Sequence, residues 1–87
     1  MIAGTAADLG RLLRAARLER GLSQQAVSDL LGVSRQWVVS AEKGAPTARV
    51  GLMLDALRAV GQLVDVRPEP ADDAALAALR GPIAPNG

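Results

Sequence analysis

The sequence predicts an all-α domain: a compact bundle of four to five helices, followed by one short β-strand. Three observations predict it. Apolar residues recur at helical spacing through residues 9–57, the period of one buried helix face. Thr5, Ser23, Ser34 and Thr47 stand where helix N-caps belong, and Gly21, Gly32, Gly44 and Gly61 where helices stop. From Gln62 the period drops to that of a strand, until Pro68 ends it.

The first helix is expected over "TAADLGRLLRAARLERG". Thr5 caps it, and Asp8 makes an imperfect capping box. Leu9, Leu12, Leu13 and Ala16 form its apolar stripe, and Gly21 supplies a left-handed end. Ser23 opens a second helix running to about Leu31, with Val27, Leu30 and Leu31 available for burial, and Gly32 closes it. Ser34 opens a third, from Arg35 to about Lys43, which Gly44 stops. After "APT", with Thr47 as N-cap, "ARVGLMLDALRAVG" places Val50, Met53, Leu54 and Leu57 on one face of a fourth helix. In "QLVDVRP" Val64 and Val66 point one way, and Leu63, Asp65 and Arg67 the other. The chain thus divides into a helical domain at 1–61, a strand at 62–68 and a flexible tail at 69–87. The tail is rich in Pro, Ala and Gly, with room for one short helix over 72–80.

Composition narrows the function. With 87 residues the chain is one small domain with a modest core, for which oligomerisation is a natural support. It has no Cys and no His, so it offers no disulfide frame, no thiolate or imidazole metal site and no histidine base. An enzyme is not expected, and no cofactor or metal is implied. No apolar run is long enough for a membrane span, and the start lacks the pattern of a signal peptide. A cytoplasmic chain is the expectation. The net charge of +1 hides an asymmetry: residues 1–50 carry +3 and residues 51–87 carry −2. A basic front suits an anionic partner.

The stretch "GLSQQAVSDLLGVSRQWVVSAEKG" carries the chemistry. Counted from Gln24, small Ser28 falls at position 5 and Gly32 at position 9, while Val27, Leu31, Val33, Val38 and Ala41 fall at 4, 8, 10, 15 and 18. A small residue lets two helices approach, glycine makes the tight turn, and the apolar positions close the corner. That is the helix-turn-helix pattern. If Val38 and Ala41 face inward, Gln36 and Lys43 point almost directly away, and Val39 and Ser40 also face out. Arg35 sits in the first turn, the part of such a helix that enters the major groove. Arg bonds guanine O6 and N7, and Gln bonds adenine N6 and N7. Val39 suits a thymine methyl and Ser40 a base or phosphate. Arg35, Gln36, Val39 and Ser40 are therefore the candidate base readers.

Residues 9–60, through "LRAARLERGLSQQAVSDLLGVSRQWVVSAEKG", resemble the phage-repressor-like helix-turn-helix domains of the Cro/C1 or XRE type. The resemblance implies a four-to-five-helix bundle that binds double-stranded operator DNA as a homodimer. It implies that Gln24 bonds a phosphate and that Arg17 and Glu42 form an internal salt bridge. Ser34, Lys43 and Arg49 complete the candidate phosphate contacts. The family often carries Ser or Thr at Val39, a basic residue at Ser40 and a larger apolar residue at Ala41, so the base contacts are particular to this chain. Trp37, the sole aromatic, lies at the boundary of the inward face and shields the corner; the alternative is a DNA-backbone contact from its indole.

A lone strand leaves backbone groups unpaired. Leu63, Val64, Asp65, Val66 and Arg67 are therefore expected to pair with the same strand of a second copy across a twofold axis. A repressor-like domain followed at once by such a strand is similar to the HipB-type antitoxins. That resemblance covers about residues 8–68 and implies an autorepressor of a type II toxin-antitoxin pair, which also binds a HipA-like Ser/Thr kinase toxin. The alternative is a stand-alone XRE-family transcriptional regulator with no toxin partner.

Overall fold

The computed structural model describes residues 3–68. Residues 69–87, with the short helix expected over 72–80, lie outside them. The described residues form four helices: α1 (Ala6–Glu19), α2 (Gln24–Leu31), α3 (Arg35–Glu42) and α4 (Val50–Ala59).

Local chemistry starts three of them. Thr5 Oγ1, Ser23 Oγ and Ser34 Oγ accept the N–H groups of Asp8, Ala26 and Trp37 at 3.0, 2.9 and 3.1 Å. Each bond satisfies a donor that a helix start leaves orphaned. Asp8 reaches back to the N–H of Gly4, at 3.1 Å, rather than to that of Thr5, so the box closes one residue early. Helix ends repeat one device. At α2, Val33 N–H donates to Ser28 O at 3.0 Å and Gly32 N–H to Asp29 O at 3.4 Å. The same pair of bonds closes α1, α3 and α4 at Gly21, Gly44 and Gly61. At the tight α2–α3 corner Gly32 has φ +69°, a region that costs side-chain-bearing residues energy.

The fourth helix departs from expectation. Thr47 does not cap it. Ala48 N–H donates to Ala45 O at 3.2 Å, so Thr47 lies inside a turn. The residue at the cap position is Arg49, whose side chain makes no capping bond.

The helices pack α1 and α2 against α3, and α2 and α1 against α4. Leu13, Ala16, Val27, Val38, Ala41, Met53, Ala56, Leu57 and Val60 form the core, with Leu9, Leu12, Leu22, Leu31, Val33 and Trp37 packed around it. Ser28 is fully buried, and its hydroxyl donates to Gln25 O at 2.8 Å. Three expected burials fail. Leu30 is 65% exposed; on α4, Val50 is 73% and Leu54 41% exposed. The inward arc of α2 is centred between Val27 and Ser28, and that of α4 runs through Met53, Ala56, Leu57 and Val60. Leu30 and Leu54 each lie roughly 100° from those centres at 100° per residue.

The strand expected at 62–68 does not form: these residues follow α4 without regular secondary structure and make no ladder with any described segment. They pass beside α4, where Leu54, Val64 and Val66 help to line an apolar groove of about 540 Å³.

Candidate nucleic-acid interface

The α2–α3 corner brings several polar side chains to the surface. Arg35 and Gln36, in the first turn of α3, are exposed, and Val39 and Ser40 on the same helix are half-buried. Val38 and Ala41, at 0% exposure, press the opposite face of α3 into the core. This short helix is thus fixed on one side and open on the other. Ser34 spends an oxygen lone pair on Trp37 N–H and keeps its O–H to donate. Lys43 and Arg49 are exposed and flank the loop between α3 and α4. Trp37 is half-buried and packs against the core.

Beneath the surface lies a buried ion pair. Arg17 Nε donates to Glu42 Oε2 at 2.6 Å and Arg17 Nη2 to Glu42 Oε1 at 3.1 Å. Arg17 Nη1 donates to the carbonyl of Leu22, at 2.9 Å. The two residues are 7% and 8% exposed. Such a fork-to-fork pair fixes orientation as well as charge. It joins the end of α1, the turn before α2 and the end of α3.

Gln24, half-buried at the start of α2, extends this arrangement to the surface. Its Nε2 donates to Glu42 Oε1 at 3.2 Å, and its Oε1 accepts from Arg35 Nη2 at 3.4 Å. The close crossing of α1 and α3 makes that geometry available. A Cβ on Gly10 would lie 2.5 Å from Ala41 O and 2.7 Å from Glu42 O, so only glycine lets the two backbones meet there.

A family model described as a helix-turn-helix domain matches residues 8–69. The chain belongs to the helix-turn-helix domain family. An uncharacterized HTH-type transcriptional regulator of Sinorhizobium fredii is 37% identical to it over 62 residues, which span 71% of this chain and 82% of that protein.

Within the helix-turn-helix unit, α2 and α3 are its two helices and Gly32 is its turn. The structure gathers Arg17, Gln24, Arg35 and Glu42 into one hydrogen-bonded series, while Gln36, Lys43 and Arg49 stand at the surface around it. Arg11, on α1, is engaged in an ion pair with Asp8. Sequence reasoning missed the Gln24 links and the role of Gly10. For Gln24 a signal existed: a polar residue at the start of α2 facing a helix end that carries a carboxylate. For Gly10 the signal was a glycine inside an otherwise unbroken apolar stripe. No described helix is long and apolar enough to cross a membrane.

Proposed function

We propose that this helix-turn-helix protein is a sequence-specific transcriptional repressor that binds double-stranded operator DNA as a homodimer. The observation that carries the reading is α3. Its first turn offers Arg35 and Gln36 to solvent, while the opposite face is locked in the core. A rigid helix with exposed Arg and Gln at its start matches the geometry that reads base edges in the major groove. The regulator from Sinorhizobium fredii adds support by its name. Ser34, Lys43 and Arg49 serve as phosphate contacts, which makes affinity fall steeply with salt.

The homodimer has a separate support. Among the described residues, five of the seven exposed large hydrophobic residues (Val50, Leu54, Leu63, Val64 and Val66) lie on α4 and the segment after it. Together with residues 63–68, which make no ladder with any described segment, they suit a second copy that pairs strand to strand and covers the groove. In the narrower reading the repressor is the antitoxin of a HipA-like kinase toxin. That reading rests on the resemblance of residues 8–68 to HipB-type antitoxins, and a kinase co-purifying from the native source tests it.

The deciding experiment is an anisotropy titration on DNA from directly upstream of the protein's own gene, at two salt concentrations. The double variant Arg35→Ala/Gln36→Ala and a scrambled duplex run alongside. The expected result is tight, salt-sensitive binding, weakened roughly 100-fold by the double variant, the scale of two lost bidentate base contacts. Equal binding to both duplexes, indifferent to the double variant, overturns the reading.

A further inference from the structure

We propose that Asp55 and Arg58 of α4 set the register and the partner choice of the homodimer, each meeting the other residue of a second copy in two reciprocal ion pairs. The inference rests on the homodimer reading above and adds to it the contact by which this surface selects a copy of itself.

The sequence puts both charges on one side of one helix. Asp55 and Arg58 stand a turn apart on α4, so they are neighbours on its surface. Met53, Ala56 and Leu57 hold the opposite side of α4 in the core, and both charged side chains are exposed. With Gly51, Leu54, Leu63 and Val64 they line a groove of about 380 Å³ that shares Leu54 and Val64 with the larger apolar one. The two charges therefore border the apolar surface that a second copy is to cover. Other charges nearby are already spent: Asp65 and Arg67 are joined to each other at 2.8 Å. Asp55 and Arg58 form no ion pair with each other or with any other described residue. A partner that covers them must bring opposite charges, or it strands both.

A second copy brings them by symmetry. A twofold contact is self-complementary: where one residue meets another, the reverse contact follows. If residues 62–68 pair antiparallel across the axis, the α4 helices that run beside them are turned antiparallel too. Acid then base along one α4 meets base then acid along the other, so Asp55 faces the partner's Arg58 and Arg58 faces the partner's Asp55. A slip of roughly one turn either way sets Asp55 against the partner's Asp55, or Arg58 against the partner's Arg58. Only one register joins unlike charges. The apolar residues supply the contact area, and the charges decide how and with which chain it closes. A chain without this order of charges leaves both unpaired, which is discrimination against a wrong partner.

The test follows the full chain by sedimentation equilibrium: wild type, Asp55→Arg, Arg58→Asp, and an equimolar mixture of the two variants. Each variant alone sets like charges opposite each other at both contacts and should self-associate about tenfold more weakly. The mixture sets unlike charges opposite each other at both contacts and should recover association close to that of wild type. The neutral variants Asp55→Asn and Arg58→Gln, singly and together, give a second reading that does not depend on how a reversed charge is tolerated. Either one alone removes both ion pairs, so the double variant should be no weaker than the singles, and additive losses overturn the pair. A wild-type dimer that neither reversal weakens, or a mixture no tighter than the variants alone, overturns the proposal and leaves the homodimer to other contacts. A wild type that stays monomeric overturns the homodimer and this contact together.

Discussion

The two sides of α1 and α4 are built to different standards. On the α3 side, α1 approaches so closely that Gly10 has no room for a Cβ, and every buried polar side chain among the described residues has a partner. On the other side, α4 and residues 62–68 leave Val50, Leu54, Leu63, Val64 and Val66 open to solvent around an apolar groove. The first side exposes charge beside a tightly packed crossing, with Leu30 also open to solvent; the second exposes most of the large apolar residues left uncovered among the described residues. Exposed charge held on a rigid helix is suited to an anion, and an uncovered apolar surface to another protein. In the function proposed above, the two become a reading side and an assembly side.

The largest expected effect lies on the reading side. Glu42→Ala strands the Arg17 guanidinium in the core and removes an acceptor from Gln24. Breaking a buried pair from one side costs about 3 kcal/mol or more, which in a domain of this size lowers Tm by more than about 10 °C. Lys43→Ala, one residue on and exposed, should move Tm by no more than a degree or two, since isolated surface charges contribute little. Equal and small shifts in thermal melts of the two variants would mean that the reading side is not anchored by this pair.

On the assembly side, Leu54→Asp comes next. Leu54 is already 41% exposed, so the folded monomer should lose little. Self-association should weaken roughly 30-fold, the scale of burying an unpaired carboxylate in an apolar contact. Sedimentation equilibrium measures this directly. An unchanged dimer constant would move the interface elsewhere, whereas a collapse of Tm would show that the groove belongs to the monomer's own core.

How far this division was legible in the sequence depends on side-chain size. Caps and stops were legible because their chemistry is local: Ser23 and Ser34 bond N–H groups three residues on, and Gly32 meets a positive φ. The inward arcs of α2 and α4 were misjudged because apolar bulk was used as the guide. At a close helix crossing the innermost residues are small, as Ser28 and Ala56 are, both at 0% exposure. Counting them inward turns Leu30 and Leu54 outward. The exposed apolar surface is therefore only half legible: the alternation of residues 62–68 marks Val64 and Val66, but the helical period of α4 places Val50 and Leu54 inward, where the structure exposes them. The outward placing of Arg35, Gln36 and Lys43 was readable because Val38 and Ala41 define the inner side of α3, whereas Val39 and Ser40, expected to face out, are half-buried. The Gln24 links were not readable, since they join residues far apart in the chain through a carboxylate whose position only the folded corner sets.

Two helical glycines sharpen the contrast with opposite signs. Gly10→Ala gains helix propensity but drives its methyl into the carbonyls of Ala41 and Glu42, at 2.5 and 2.7 Å, which can yield only if α3 moves. A net loss of about 1–2 kcal/mol follows, with weaker DNA binding because α3 is displaced. Gly51→Ala, on α4, meets nothing within 4 Å and should gain about 0.5 kcal/mol. Urea unfolding of both variants tests the pair. Two gains would show that the α1–α3 crossing is looser than the backbone positions imply.

The smallest effect is a pH dependence at the rim where the two sides meet. Gly4 and Thr5 line the groove, and the Asp8 carboxylate holds this end of α1. Its pKa lies below the ordinary aspartate value, first because Gly4 N–H donates to it, then through the Thr5 hydroxyl and through Arg11. A carboxyl whose folded pKa is depressed contributes stability that is fully present above the unfolded value, about 3.9, and is lost as pH falls through the lower folded one. The stability difference between wild type and Asp8→Asn should therefore stay constant at pH 5 and above and shrink below pH 4. Amide exchange at Gly4 and Asp8 should accelerate over the same interval, before α3 changes. Because the group is solvent-facing, the effect is small and screened by salt. A difference that grew on acidification would mean that the cap is strained in its charged form, and that the groove's rim is held by apolar contacts with α4.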